Sequence, residues 1–239
     1  MMKLNKTKII ATLGPASSSK TMMSKLISSG VDVFRINFSH ARHEDVERIV
    51  SDIKNLRIKH NKHVSILGDL QGPKIRLGNV VKNTSLVKGD VITLTTKSVK
   101  NGNNEKVNIN YADFAKDVKR GEAVLIDDGK LILEVQKTDK INIVELKVVQ
   151  GGVLSSNKGV NLPNTKISMP ALTYKDVKDA KLAAKLAVDW IALSFVRSKN
   201  DVLQLKAIID KNSEHPIPVI SKIEKPQAIK KMDQILRVS

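Results

Sequence analysis

The chain contains no cysteine and very few aromatic residues. The absence of cysteine excludes a disulfide scaffold, a thiolate nucleophile and a zinc site with cysteine ligands. With one Trp, two Tyr and four Phe, the core must be built from Ile, Val, Leu and Ala. Hydrophobic residues still make up 41% of the 239 residues, which is enough for a sizeable core in one large domain or two smaller ones.

Long hydrophobic runs are also lacking. No segment approaches the roughly 18 consecutive apolar residues of a membrane-spanning helix. The first residues, MMKLNKTKII, hold no apolar signal-peptide core. We therefore expect a cytoplasmic protein that does not associate with membranes.

Acidic residues are few, since 24 Asp and Glu against 41 Lys and Arg give a formal charge of +17. The lysines are scattered through every segment, whereas nucleic-acid binding typically uses a concentrated basic face, with aromatic side chains when single strands are bound. We interpret the excess as a lysine-rich surface, to which a pocket for phosphorylated metabolites would add. Nucleic acid is therefore not the expected partner, and any binding to it would be weak and salt-sensitive.

The hydrophobic pattern alternates between the period of a strand and that of a helix. Five short apolar segments predict strands, and each is followed by a segment with helical spacing or helix-capping residues. The predicted strands lie in TKIIATLGP, VDVFRINF, HVSILGDL, DWIALSF and IPVISKIE. Strands that alternate with helices through short loops form a parallel sheet, either open or closed into a barrel.

Between about residues 78 and 164 the pattern predicts strands and turns but no helix. Asp128 and Gly129, between apolar runs, are typical of a hairpin turn. We interpret this region as a small all-β domain inserted after the third strand. The expected domains are a first barrel part at 1–76, the inserted domain at 77–165 and a second barrel part at 166–239.

Polar side chains collect where the predicted strands end. In strand–helix barrels the chemistry lies at this edge, where strands pass into loops. We therefore favour a barrel represented by about five of its strand–helix units over an open five-stranded sheet. Such a gathering of cations, carboxylates and amides is typical of a phosphate and metal site. The residues are Arg35, Asn37, Ser39, His40, Asp69, Lys74, Arg76, Ser194, Lys222 and Glu224.

Each of these residues also has a structural explanation when taken alone. Asn37 and Ser39 could cap the next helix, and Lys222 with Glu224 could form an internal ion pair. Lys158, in the segment SSNKGVNLP, suits a loop in solvent. These separate explanations do not account for polar groups at successive strand ends.

Seven segments together resemble the pyruvate kinase family in order and spacing. They are TKIIATLGPAS, VFRINFSHA, GDLQGPKIR, DDGKLILEV, NKGVNLPN, DWIALSFVR and ISKIEKPQA, and they cover essentially the whole chain. The resemblance implies an α/β fold, a partial (β/α)8 TIM barrel with a mobile β domain inserted after strand 3. It also implies a homotetramer that uses Mg²⁺, or alternatively Mn²⁺, to transfer a phosphoryl group from phosphoenolpyruvate to ADP. The products would be pyruvate and ATP, as in the last step of glycolysis.

The resemblance implies a role for each site residue. Arg35 and Lys222 would bind the phosphoryl group during transfer, and Lys222 would also stabilise the enolate left behind. Glu224 would be a carboxylate ligand of Mg²⁺. Substrate and nucleotide would be held by Arg35, Asn37, His40, Arg76, Lys158 and Ser194.

A monovalent-cation position forms a separate expectation. In many family members K⁺ lies at this position, and a glutamate stands where this chain has Lys74. The matching residues are Asn37, Ser39, Asp69 and the backbone carbonyl of Leu70. Here the ammonium group of Lys74 would supply the positive charge, and Leu70, Gln71 and Leu77 match the potassium-independent branch. We therefore expect no requirement for K⁺.

Pyruvate kinases are considerably longer than this chain, so the resemblance implies a fragment that stops before the sixth strand. A second aspartate ligand of Mg²⁺ and the C-terminal domain would lie beyond Ser239. The 239 residues alone are therefore expected to lack kinase activity. Two alternatives stay open: another Mg²⁺-dependent barrel enzyme that acts on phosphoenolpyruvate or a related enolate, and a non-catalytic relic or partner-binding fragment.

Overall fold

The computed structural model describes residues 6–239, which form two compact units. The barrel unit joins the chain up to Pro73 with Ala171–Ser239, and the inserted unit is Lys74–Pro170. The inserted unit is wider than the 77–165 expected from the sequence. The reason is packing, because Ile75 and Met169 both lie against the core of that unit.

Twenty helices and strands are found in the described residues. In chain order they are β1 (Ile10–Thr12), α1 (Lys20–Ser28), β2 (Val33–Asn37), α2 (His43–His60), β3 (Ser65–Asp69), β4 (Ser85–Leu86), β5 (Val91–Thr95), β6 (Lys106–Asn108), α3 (Phe114–Asp117), β7 (Ala123–Ile126), β8 (Leu131–Thr138), β9 (Ile143–Gln150), β10 (Gly152–Val153), β11 (Val160–Asn161), α4 (Tyr174–Lys185), β12 (Trp190–Leu193), α5 (Lys199–Asp210), β13 (Val219–Ser221), α6 (Pro226–Ile229) and α7 (Met232–Leu236).

The barrel unit is built on a parallel sheet with the strand order β1-β2-β3-β12-β13. Each strand lies beside the previous strand of the same unit, and helices connect them. This sequential order is that of a (β/α)8 barrel, whereas a doubly wound sheet reverses its order partway. The expected fold class, a partial barrel with an inserted all-β domain, is confirmed.

The two faces of this sheet differ in chemistry because successive side chains of a strand point to opposite sides. Phe34 and Ile36 of β2 are buried in the core that the sheet shares with its helices. Arg35 and Asn37 alternate with them and therefore point to the other face. On that face, Ile10, Trp190 and Ile220 remain exposed and line a cavity of about 370 Å³. Side chains in these positions fill the interior of a closed barrel.

Local sequence pattern accounts for the longer helices of the barrel unit. Residues Val46, Ile49, Val50, Ile53 and Leu56 of α2 are all buried, as their helical spacing indicates. Capping boxes formed by Thr173 with Asp176 and by Ser198 with Asp201 start α4 and α5. No helix in residues 6–239 has both the length and the apolar composition needed to cross a membrane.

Two short helical features differ from the sequence-based expectation. The predicted fifth helix is split into α6 and α7, because the chain leaves helical geometry at Lys231, with φ −122°. The inserted unit contains the single turn α3, where only strands and turns are predicted. A four-residue helix has no repeat that hydrophobic periodicity could detect, although Phe114 and Ala115 of α3 are buried.

The inserted unit is otherwise a β structure. Its main sheet has the order β11-β7-β8-β9-β5-β6, and β10 pairs with β4 in a separate two-stranded ribbon. Strands β7 and β8 form the predicted hairpin, in which Asp127 and Asp128 have φ values of 52° and 57°. Gly129 follows with φ 86°, so three of the four residues between the strands are left-handed, a conformation that Gly and Asp adopt more readily than most residues.

Candidate active site

A buried carboxylate lies at the centre of the strand-end residues of the barrel unit. Asp69 ends β3 and is only 4% exposed. Its Oδ2 accepts hydrogen bonds from Arg35 Nε at 2.8 Å and Nη2 at 2.5 Å, and its Oδ1 accepts one from Lys222 Nζ at 3.2 Å. One carboxylate therefore fixes two cations that come from different strands.

Each of the two cations has a second partner. Arg35 Nη1 donates to Thr12 Oγ1 at 2.9 Å. Lys222 Nζ donates to Ser194 Oγ at 2.8 Å, and that hydroxyl donates in turn to the carbonyl of Leu70 at 2.6 Å. Side chains with several fixed partners lose little freedom when a ligand binds, so this arrangement is preorganised for an anion.

The carboxylate of Glu224 is held next to Lys222. Glu224 Oε1 lies 3.5 Å from Lys222 Nζ, and Oε2 accepts a 2.8 Å bond from the backbone N–H of Phe195. Phe195 has a left-handed backbone conformation, with φ 55°, and this conformation orients its N–H toward Glu224. A left-handed conformation is energetically costly for a bulky residue, so the surrounding structure must maintain it.

Glu224 has the oxygen chemistry that suits Mg²⁺. In the described residues no group of three or more His, Cys, Asp or Glu side chains could hold a metal ion. Glu224 can supply one carboxylate ligand, and substrate oxygens, water or further protein groups would complete the coordination.

The end of β2 and the loop that follows it carry three of the predicted residues. Asn37 Oδ1 accepts the backbone N–H of Ser39 at 3.0 Å, which is a local turn. The two residues do not cap α2, whose N-cap is Arg42. A cavity of about 540 Å³ adjoins this loop and is lined in part by Asn37 and His40, and also by Pro15.

Three of the four groups expected to surround a monovalent cation already accept hydrogen bonds within the barrel unit. Both Asp69 oxygens face Arg35 or Lys222, Asn37 Oδ1 accepts from Ser39, and the Leu70 carbonyl accepts from Ser194. Lys74 belongs to the inserted unit, where its backbone carbonyl accepts a bond from Asn110 Nδ2.

The inserted unit brings Arg76 and Lys158 onto adjacent segments. The N–H of Leu77 donates to the carbonyl of Lys158 at 2.9 Å, and Arg76 Nη1 donates to the carbonyl of Asn157 at 2.5 Å. The Lys158 ammonium lies 3.0 Å from Asp127 Oδ1. Lys158 is thus an ion-pair partner within its own unit as well as a candidate phosphate ligand.

Two groups at the site were missed by reasoning from sequence. Thr12 ends β1, so the same strand-end argument that selected Arg35 could have found it. The backbone N–H of Phe195 has no sequence signal, because its direction depends on a backbone angle that sequence does not encode locally.

Comparisons with known proteins agree with this geometry. A family model described as "Pyruvate kinase, barrel domain" matches residues 4–239. The chain is 42% identical over 232 residues to a pyruvate kinase of Corynebacterium efficiens, covering 97% of this chain and 48% of that protein. It is 42% identical over 237 residues to a pyruvate kinase of Thermotoga maritima, covering 99% and 50%. The chain therefore spans about half the length of the curated relatives it matches.

Removing Lys158 should raise the pKa of Asp127. Hydrogen bonds from Lys158 and, second, from Lys130 hold this pKa below its ordinary value of 3.8. The stabilisation from this cluster is present above the ordinary pKa and is lost as the pH falls through the lowered one. We expect Lys158→Met to shift the Asp127 titration to higher pH, as followed by the carboxyl carbon chemical shift in NMR.

Lys130→Met is the companion variant, because Lys130 is the second cation on the same carboxylate. It should also raise the Asp127 pKa, since it removes a hydrogen-bond donor and a positive charge. An unchanged Asp127 titration in the Lys158→Met protein would contradict the ion pair.

Proposed function

This chain belongs to the pyruvate kinase family, and we propose that the complete protein transfers a phosphoryl group from phosphoenolpyruvate to ADP. The products are pyruvate and ATP. The observation that carries the proposal is the pair of cations, Arg35 and Lys222, fixed by the single buried carboxylate of Asp69. Family membership and this preorganised anion site point to the same chemistry.

Arg35 and Lys222 are the proposed catalytic residues. In a loose phosphoryl-transfer transition state, negative charge is spread over the equatorial oxygens of the transferred group. Fixed cations stabilise that charge without reorganising during the reaction. Lys222 additionally stabilises the enolate oxygen that remains when the phosphoryl group leaves, and Ser194 keeps the Lys222 ammonium in place.

Glu224 is the proposed protein ligand of Mg²⁺, with Mn²⁺ as a substitute. When bound, the metal neutralises charge on the phosphoryl oxygens. The N–H of Phe195 orients the Glu224 carboxylate, and Lys222 lies beside it. The contribution of this chain is thus an oriented oxygen ligand next to the phosphoryl-binding cations.

The cavity beside the β2–α2 loop is the proposed nucleotide site. Its volume of about 540 Å³ suits a small ligand. Asn37 and His40 line it, and we assign them to nucleotide binding. Arg76 and Lys158, two cations on adjacent segments of the inserted unit, are assigned to phosphate binding.

Independence from K⁺ is a further part of the proposal. It is supported by the oxygens of Asn37, Asp69 and Leu70, which already accept protein hydrogen bonds. It is also supported by a lysine at position 74, where many potassium-dependent family members carry glutamate. The complete protein is further proposed to be a cytoplasmic homotetramer, as expected for this family.

Pyruvate formation should depend on both ADP and Mg²⁺ in the complete protein. Lys222→Met should lower kcat by about 10²–10³-fold, because a preorganised charge at the transition state is removed. Lys230→Met is the control, since Lys230 is exposed and lies outside the cluster. The 239-residue chain is assayed alongside the complete protein. It should show negligible turnover, because it carries only one proposed carboxylate ligand of Mg²⁺.

The same assay separates the alternatives. Pyruvate formed from phosphoenolpyruvate at an undiminished rate without ADP would contradict the kinase, because the phosphoryl group would then be transferred to water. Equal turnover by the 239-residue chain and the complete protein would contradict the proposal that catalysis needs residues outside this chain.

Turnover of the complete protein should persist when K⁺ is replaced by tetramethylammonium at constant ionic strength. Lys74→Glu should make turnover dependent on K⁺, because it removes the tethered positive charge and adds a negative one. Lys82→Glu changes charge equally at an exposed position of the inserted unit and should not create the dependence. Collapse of the unmodified enzyme's turnover without K⁺ would refute the assignment.

A further inference from the structure

Helix α4 carries a second buried carboxylate, which lies next to the start of α2. Asp179 is only 1% exposed. Its Oδ2 accepts a hydrogen bond from Lys175 Nζ at 2.5 Å, and its Oδ1 lies 2.8 Å from His43 Nε2. A carboxylate removed from water in this way needs cationic or hydrogen-bonding partners, and Lys175 and His43 supply them.

The same network reaches the loop that follows β2. The Lys175 ammonium also donates to the backbone carbonyl of Phe38 at 2.6 Å. Phe38 and His43 lie immediately before and after residues 39–42. Asp179, directly through His43 and indirectly through Lys175, therefore holds both ends of this four-residue segment.

The held segment forms part of the wall of the proposed nucleotide cavity. His40 and Ala41 line that cavity, as do the flanking residues Asn37 and Asp45. Because the wall is a loop, its position depends on what anchors it. The side chains that anchor it come from α4, which lies more than 130 residues further along the chain, as Lys175–Phe38 and Asp179–His43 show.

Asp176, another buried carboxylate of α4, anchors the loop that follows β3. Asp176 is fully buried, and its Oδ1 accepts the backbone N–H of Gly72 at 2.9 Å. Its Oδ2 accepts from Thr173 at the start of the helix. The first two turns of α4 thus contact the loops after both β2 and β3.

We propose that Lys175 and Asp179 are positioning residues that fix residues 39–42 as a wall of the nucleotide site. Neither residue lines the cavity. The effect on nucleotide binding rests on the proposed function, whereas the fixing of the segment does not. The two parts can therefore be tested by separate measurements on the same variants.

The first variant is Lys175→Met in the complete protein. Lys175 is 44% exposed, and His43 still pairs with Asp179 when Lys175 is replaced. The variant should therefore fold with reduced stability, which its thermal unfolding midpoint checks, while it lacks the donor to Phe38. Lys175→Arg can restore a charged donor and is the rescue variant. Lys181→Met removes an exposed lysine from the same helix outside the network and is the matched control.

Hydrogen–deuterium exchange of the backbone amides in residues 39–42 is the first readout. Exchange should be at least about tenfold faster in Lys175→Met, as expected for loss of a hydrogen bond from a charged group. It should be unchanged in Lys181→Met and restored toward the unmodified rate in Lys175→Arg. Unchanged exchange in Lys175→Met would overturn the proposal, whatever the protein catalyses.

Steady-state kinetics are the second readout. The KM for ADP should rise about tenfold in Lys175→Met while kcat and the KM for phosphoenolpyruvate stay within about twofold. Faster exchange with an unchanged KM for ADP would overturn the link to nucleotide binding. If the unmodified protein has no kinase activity, the proposed function fails, and the exchange result alone decides whether Lys175 fixes the segment.

Discussion

The arrangement of the candidate site depends on the buried carboxylate of Asp69. Without it, Arg35 and Lys222 would present two like charges from separate strands to the same region, and repulsion would drive them apart. Asp69 accepts hydrogen bonds from both, so each cation has a fixed position before any ligand arrives. Three of the five donors of the Arg35 guanidinium are used in these bonds, which leaves two for an anion. The Lys222 ammonium donates to Asp69 and Ser194 and lies 3.5 Å from Glu224, so its third donor would be shared between Glu224 and an anion.

This constraint follows from the parallel sheet. Parallel neighbours place their carboxyl ends at one edge, and the period of two separates the apolar face from the polar one. Phe34 and Ile36 are buried with the helices, and Arg35 therefore points to the face where Asp69 lies. The loops beyond that edge receive their own anchors from α4, through Lys175 and Asp176. The proposed catalytic residues therefore lie at or next to strand ends, and α4 anchors the loops beside them.

The sequence is informative where an element repeats a pattern and uninformative where geometry depends on distant contacts. The buried face of α2, the Asp128–Gly129 turn and the capping boxes follow from local spacing, and the structure has them. The strand-end position of Asp69 could be predicted in the same way, but its two cationic partners could not, since they come from other strands. The single turn α3 and the direction of the Phe195 N–H lack any local signal, because tertiary packing determines them.

The central claim is that Asp69 holds Arg35 and Lys222 as one phosphoryl-binding pair. A crystal structure of the complete protein with phosphoenolpyruvate and Mg²⁺, without ADP, tests it most directly. The account predicts phosphoryl oxygens within hydrogen-bond distance of both the Arg35 guanidinium and the Lys222 ammonium, with Asp69 still bonded to each. A phosphoryl group bound elsewhere, or contacting neither cation, would contradict it.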